Sequence, residues 1–147
     1  MIKIYGKIPL AQKKTIKDFV GYVAAYFKFP KTTINIKFVD PESLYGQESK
    51  DLKEFHAWME QKARRKFELT ISTEVESTKD ILLCIGHELV HAKQYLKGEL
   101  VDLPNDFVKW KGEIFKYHEY GEGYWMSGWE IEAYGYELAL YETFILL

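Results

Sequence analysis

Two histidines four residues apart, His87 and His91, constrain what this chain can fold into more than any other feature of its sequence. Positions four apart lie one turn apart on the same face of an α-helix, so a helix here would present both imidazoles to a single tetrahedral ion. Glu88 follows the first histidine and would point beside that ion, where a carboxylate can take a proton from metal-bound water. This pentapeptide therefore predicts a helix with a metal-binding face, with Zn²⁺ as the ion.

The residues around the pentapeptide predict a capped helix. Ser77, with Asp80 three positions later, is typical of a helix N-terminus, and Gly98 is typical of the residue that follows a helix. Cys84 lies one turn before His87 and is a conceivable thiolate ligand, but a free cysteine in a buried helix usually packs as a small hydrophobe. Five apolar residues fall on the face opposite the histidines: Leu82, Ile85, Leu89, Ala92 and Leu96. One face should therefore pack in the core while the other presents imidazoles.

Hydrophobic periodicity divides the first half of the chain into short elements. Alternation of apolar and polar residues predicts half-exposed strands, and apolar residues at helical spacing predict an amphipathic helix that Pro30 ends. The predicted strands are residues 1–8, 34–38 and Phe67–Val75, and the predicted helix that Pro30 ends is residues 10–29. Residues 42–66 are predicted to be a helix, although Gly46 and the dense charge equally suit a long surface excursion.

The second half of the chain is rich in aromatic residues. Lys111 and Gly112 separate two apolar runs as a hairpin turn does, within a segment of residues 107–128 that we predict to be an irregular wall or lid. From Trp129 onward a stripe of apolar residues at helical spacing predicts a buried terminal helix. The stripe consists of Ile131, Tyr134, Leu138, Tyr141 and Ile145.

Composition narrows the class of protein. The chain has 147 residues, 47% of them hydrophobic, which predicts a single globular domain over residues 1–147. Its 20 basic and 22 acidic residues leave a net charge of -2, which favours neither nucleic acid nor an anionic membrane as a partner. One cysteine cannot form an internal disulfide, and the first ten residues lack the apolar core of a signal peptide, so we expect a cytoplasmic protein.

A catalytic zinc site needs a third protein ligand, and the terminal helix offers two. Glu130 and Glu132 are two positions apart, so their side chains point in nearly opposite directions on a helix and only one of them can face the metal. Glu130 lies about 60° from the centre of the apolar stripe and Glu132 about 140° from it. Glu130 is therefore the favoured ligand, with Glu132 as the alternate.

These residues together resemble a known family. A His-Glu-x-x-His pentapeptide on one helix and a glutamate near the start of a downstream helix are similar to the gluzincin branch of the zincin metallopeptidases, over residues 67–147. In that branch a small residue often stands three positions after the ligand glutamate, a pattern that both Glu130 with Ala133 and Glu132 with Gly135 satisfy. The spacer before Glu130 is long, as in small divergent zincins of phages and mobile elements.

A second branch of the family, the metzincins, fits less well. In metzincins a glycine stands three positions after the second histidine and a third ligand, His or Asp, stands six positions after it. This chain has Gln94 and Lys97 at those positions.

The resemblance implies an α+β, minimal zincin-like fold and a hydrolase. It implies an N-terminal helix and a small mixed sheet packed on the histidine helix, with Glu88 as general base in peptide-bond hydrolysis. A peptide or protein substrate would add as a strand along an exposed edge formed by Phe67–Val75. The donor to the oxyanion would come from an aromatic or histidine side chain: His118, Tyr117, Tyr120, Tyr124 or Tyr134.

Two alternatives come from other functional classes. The chain can be a metal-dependent regulator that binds a partner, or a non-catalytic domain in which zinc is structural. His118 is the second candidate catalytic residue because it falls in the predicted wall of the cleft, whereas His56 is expected to be a surface or partly packed side chain.

Overall fold

The computed structural model describes residues 1–42 and 56–147, which form a mixed α+β structure with two small sheets. The α+β class predicted from the sequence is confirmed. The helices are α1 Leu10–Tyr26, α2 Thr78–Leu96, α3 Gly121–Trp125 and α4 Gly128–Ile145. The strands are β1 Ile2–Tyr5, β2 Thr33–Val39, β3 Ala57–Ala63, β4 Lys66–Ser72, β5 Leu100–Leu103, β6 Phe107–Trp110 and β7 Glu113–Lys116.

The larger sheet has the strand order β1-β2-β4-β3, in which β1, β2 and β4 run parallel and β3 pairs antiparallel with β4. The register places Ile34 of β2 beside Phe67 of β4, and Ile36 beside Leu69. Because side chains two positions apart share a face, these four form one apolar surface. All four are buried in a core to which α1, α2 and α4 also contribute.

One helix prediction and one strand prediction change in the structure. The helix predicted over residues 42–66 is wrong where it can be compared, because Ala57–Ala63 is strand β3; residues 43–55 lie outside the described residues. The strand predicted at Phe67–Val75 exists as β4, but it ends at Ser72 and is not half exposed. Since β4 lies between β2 and β3, even its polar Thr70 and Ser72 are buried.

Helix α2 begins and ends where its capping residues predict. The Ser77 hydroxyl oxygen accepts a hydrogen bond from the Asp80 backbone amide, which satisfies one of the free donors of the first turn. At the other end Gly98 has φ of 69°, and the amides of Gly98 and Glu99 donate to the carbonyls of Tyr95 and Gln94. This is the paired hydrogen-bond pattern of a Schellman cap, in which glycine takes the left-handed conformation without strain.

The aromatic segment is more regular than predicted. The hairpin turn at Lys111 and Gly112 is confirmed, with φ of 47° and 87°, and it joins β6 to β7 in a three-stranded antiparallel sheet with β5. A separate apolar cluster of Leu100, Val108 and Trp129 joins this sheet to the start of α4.

The apolar stripe predicted to be the buried face of α4 is wrong. Ile131, Leu138 and Ile145 are each about half exposed, at 52%, 51% and 51%. The buried residues of α4 lie on another face: Trp129, Glu130, Ala133 and Leu140. No helix within residues 1–42 or 56–147 combines the length and the apolar character needed to cross a membrane.

Candidate metal centre

Three donor atoms from two helices converge where the helices pack together. Helix α2 contributes the Nε2 atoms of His87 and His91, which are 3.2 Å apart. Helix α4 contributes Oε1 of Glu130, which lies 3.0 Å from Nε2 of His87 and 3.2 Å from Nε2 of His91. In a tetrahedral zinc site with bonds of about 2.0–2.1 Å, neighbouring ligand atoms are about 3.3 Å apart. The three donors therefore form a group that could hold a metal ion.

The hydrogen bonds on the far side of each imidazole determine what the near side can do. Nδ1 of His87 is 3.1 Å from a carboxylate oxygen of Glu137, and Nδ1 of His91 is 2.8 Å from Oε1 of Gln94. Both partners accept hydrogen bonds, so each Nδ1 carries the proton in the neutral imidazole. Each Nε2 of a neutral imidazole is then left with a lone pair directed at another lone pair, a repulsion that a proton or a bound metal ion would relieve.

The pKa values of the two histidines and of Glu130 show that the site stabilises positive charge on the imidazoles. Burial by itself lowers the pKa of His87, but hydrogen bonds with Glu130 and Glu137 outweigh it and raise the pKa to about 9. The pKa of His91 is raised against its burial in the same way, chiefly by Glu130. Burial would raise the pKa of Glu130, but the hydrogen bonds from the two imidazoles lower it to about 2. A metal ion can supply the charge that a proton would otherwise supply.

The structure brings Glu130, and not Glu132, to the imidazoles. The Glu132 carboxylate accepts hydrogen bonds from the ammonium group of Lys93 and from the side-chain amide of Gln94. Lys93 is 5% exposed and also pairs with Glu99 at 2.8 Å, so Glu132 belongs to an ion-pair network around a buried ammonium group beside the candidate metal centre.

Glu88 lies beside the donor group, between two cavities. Its side chain is 9% exposed and lines both a cavity of about 900 Å³ and one of about 240 Å³. Burial raises its pKa, although the two histidines act against this. Among the described residues, no group donates a hydrogen bond to its carboxylate. A buried carboxylate with a raised pKa and free lone pairs can act as a general base on a molecule that enters the cavity.

Two of the candidate tyrosines contact the candidate metal ligands. The Tyr124 hydroxyl is 3.2 Å from the Glu130 carboxylate and 2.9 Å from the Tyr134 hydroxyl. The Tyr134 ring packs against His87, with 4.4 Å between ring centroids. Burial raises the pKa of both phenols, which keeps the hydroxyls protonated and able to donate hydrogen bonds.

The other candidates are farther from the donors. Tyr120 and His56 are exposed and line the larger cavity, and Tyr117 lines the smaller one. The His118 ring packs against the backbone of Gly123, where a Cβ atom would lie 2.5 Å from the ring. His118 is not among the described residues that line the two cavities.

The single cysteine is close to the centre without joining it. Cys84 lines the larger cavity, but it is outside the group of donors that the described residues bring together. Burial, with the charges of Glu88 and Glu137, raises the pKa of its thiol to about 11, so the thiol is protonated at neutral pH.

The exposed strand beside the centre is β3. The prediction that Phe67–Val75 forms an edge is wrong, because β4 is paired on both sides, with β2 and with β3. β3 ends the sheet next to β4, and its residues Ala57, Trp58 and Met59 line the smaller cavity.

The sequence reasoning did not identify Gln94 and Glu137 as site residues. Glu137 follows Glu130 by seven positions, which places both on one face of α4, and this spacing was the available signal. Gln94 stands three positions after His91, one turn farther along α2. Neither spacing is distinctive without knowledge of which face of α4 meets α2.

This chain matches no protein-family model, no curated protein and no solved structure. The interpretation of the centre therefore rests on its own geometry and chemistry.

Proposed function

We propose that this protein is a zinc-dependent peptidase of the zincin type. His87, His91 and Glu130 would hold the ion, and Glu88 would act as the general base. One observation carries the proposal: three donor atoms within 3.2 Å of one another lie beside a buried carboxylate that no described residue pairs, at the junction of two cavities.

The donor set favours catalytic over structural zinc. Structural sites usually surround the ion with four protein ligands, whereas catalytic sites use three and leave one position for water. The described residues supply three donors here, and the cavities give small molecules access to their open side.

A bound zinc ion lowers the pKa of water and polarises a carbonyl group. Glu88 would take one proton from the attacking water and deliver it to the leaving amide nitrogen, so that the C–N bond breaks as the water oxygen becomes part of the new carboxyl group. Glu137 and Gln94 hold the two imidazoles in the orientation that directs Nε2 inward. The hydroxyls of Tyr124 and Tyr134 are the donors that would stabilise negative charge developing on the carbonyl oxygen.

The zincin assignment is supported by how the two helices share the centre. α2 provides the histidines and the base, while the first turn of α4 provides the glutamate. Ala133 is fully buried one turn after Glu130, and a small residue there lets the two helices approach closely. Gly135, the corresponding residue for Glu132, is exposed.

The test is Glu88→Gln, with zinc content and cleavage of a reduced, unfolded protein measured on the same sample. We expect zinc content to stay at the wild-type value while kcat falls by about a hundredfold to ten-thousandfold, because only the base is removed. Glu142→Gln, an exposed change on α4 outside both cavities, is the matched control and should leave both quantities unchanged.

Two results would overturn the proposal. Undiminished cleavage by Glu88→Gln would remove Glu88 from the reaction. A wild-type protein that holds zinc, loses stability on chelation and cleaves nothing would have a structural site instead.

A further inference from the structure

We infer that the larger cavity binds a positively charged side chain, lysine or arginine, of the peptide substrate. The statement about cleavage rests on the proposed function, so the peptidase would cut beside a basic residue. The statement about binding does not depend on turnover.

The walls of the larger cavity carry carboxylates from four parts of the chain. They come from the segment between β4 and α2, the first turn of α2, the segment before α3, and the middle of α4. These residues are Glu74, Glu76, Asp80, Glu119 and Glu137. No lysine or arginine is among the described residues that line this cavity. A concave surface lined by one sign of charge concentrates ligands of the opposite sign.

The floor of the cavity supplies a second, independent observation. The Glu88 side chain is 9% exposed, and within the described part of the chain no donor pairs with its carboxylate. A carboxylate that faces a cavity without a protein partner is stabilised by a ligand that brings hydrogen-bond donors or positive charge toward it. Glu88 and the carboxylates that surround it in this cavity therefore favour the same kind of ligand, one with positive charge.

The wall carboxylates are available for this role. Within residues 1–42 and 56–147, Glu74, Glu76, Asp80 and Glu119 make no ion pair, in contrast to Glu132, which pairs with Lys93. The neighbouring Lys79 places its ammonium group over the Tyr141 ring, at 5.5 Å, and does not line the cavity. Four unneutralised carboxylates thus face one open space.

The smaller cavity offers fewer carboxylates to a ligand, because the acidic residues in its described lining are Glu88, Asp102 and Glu130. Trp58, Met59 and Trp129 contribute to its lining, and the carboxylate of Asp102 accepts a hydrogen bond from the Tyr95 hydroxyl at 2.9 Å. His87 lines both cavities, whereas His91 and Glu130 line the smaller one. We therefore expect a basic side chain to be required on one side of the scissile bond only.

The experiment compares two triple variants of the full chain. Glu74→Gln/Glu76→Gln/Glu119→Gln neutralises three exposed cavity carboxylates, and Asp80 is kept because it belongs to the first turn of α2. The control neutralises three exposed carboxylates that line neither cavity: Glu60→Gln/Glu113→Gln/Glu142→Gln. Both variants change the net charge equally, so an effect of overall charge would appear in both.

The probes are capped, fluorescently labelled hexapeptides with one lysine, arginine, glutamine or norleucine at each position in turn. Binding to zinc-loaded protein is measured by anisotropy, and cleavage of the same peptides by mass spectrometry. We expect the wild type and the control variant to prefer lysine and arginine over glutamine and norleucine at one position. In the cavity variant that preference should fall by about tenfold, and raising the salt concentration should weaken it in the wild type.

The outcomes separate this inference from the proposed function. Equal binding of basic and neutral peptides, or an equal loss in both triple variants, would overturn the inference whether or not peptides are cut. Binding that prefers lysine and arginine without any cleavage would support the inference and count against the peptidase.

Discussion

Helices α2 and α4 meet at the candidate metal centre, but they differ in whether their apolar stripes are buried. In α2 the buried residues include Leu82, Ile85 and Leu89, and the histidines lie on the face that these residues leave free. In α4 the most regular apolar stripe is about half exposed, and the buried face combines Trp129 and Ala133 with the charged Glu130.

The difference shows what hydrophobic periodicity measures. A stripe of apolar residues marks a face that can be buried, but a neighbouring element must be present to cover it. α2 is covered by the sheet and by α1, whereas the side of α4 that meets α2 is the one that carries the third donor. The face of α4 that packs against α2 is therefore the one that carries Glu130, and it is not the most hydrophobic face of the helix.

The largest expected effect is on zinc affinity, which should differ between variants of Glu130 and of Glu132 on α4. Glu130→Gln should lower zinc affinity by more than about a hundredfold, because even loss of a residue that only supports a ligand costs ten- to a hundredfold. Glu132→Gln should keep zinc and lose stability instead, because it removes a partner from the buried ammonium group of Lys93. Elemental analysis and thermal unfolding on both variants measure this. Zinc loss in Glu132→Gln alone would reverse the assignment of the ligand.

The next effect compares the buried stripe of α2 with the exposed stripe of α4. Leu89→Ala removes a fully buried side chain and should lower the free energy of unfolding by about 2–5 kcal/mol. Leu138→Ala removes one that is 51% exposed and should change it by less than about 0.5 kcal/mol. Urea titration of the two variants provides both values. A loss at Leu138 as large as that at Leu89 would mean that the stripe is covered in solution.

The smallest expected effect is on the pH dependence of stability when metal is removed, because His87 of α2 then interacts with the carboxylates of α4. The pKa of His87 rises from 6.5 to about 9 on folding, so its stabilising contribution is complete below pH 6.5 and is lost as the pH rises through 9. We expect the chelated protein to lose on the order of 2 kcal/mol of stability over this window. Calorimetry between pH 5.5 and 9.5 tests this. The zinc-loaded protein is the control, and a chelated protein whose stability rises over the same window would contradict the prediction.

Much of the framework could be predicted because its signals are local. The strands β1 and β2, the helices α1 and α2, the capping by Ser77 and the turn at Lys111 all follow from periodicity or from the preferences of single residues. β3 was missed because its sequence, AWMEQKA, is rich in residues that also favour helices. Its strand conformation comes from pairing with β4, which is a tertiary contact.

Within the site the same division holds. The pair His87 and His91, with Glu88 beside them, could be named because the helix repeat alone brings the two imidazoles to one face. Glu130 was favoured by an argument from an apolar stripe that the structure places at the surface, so the preferred residue was reached by reasoning that does not apply. Gln94 and Glu137 could not be named, since their roles depend on the packing of two helices.

By itself the sequence determined the α+β class, the capped helix that carries both histidines, and the presence of two rival glutamates on a terminal helix. Those features depend on contacts within a few residues, for which the backbone repeat is sufficient. Only the tertiary structure decided which glutamate meets the imidazoles, which residues orient their rings, and which acidic walls border Glu88. These depend on the rotation of α4 against α2, and that rotation is set by side chains far apart in the chain.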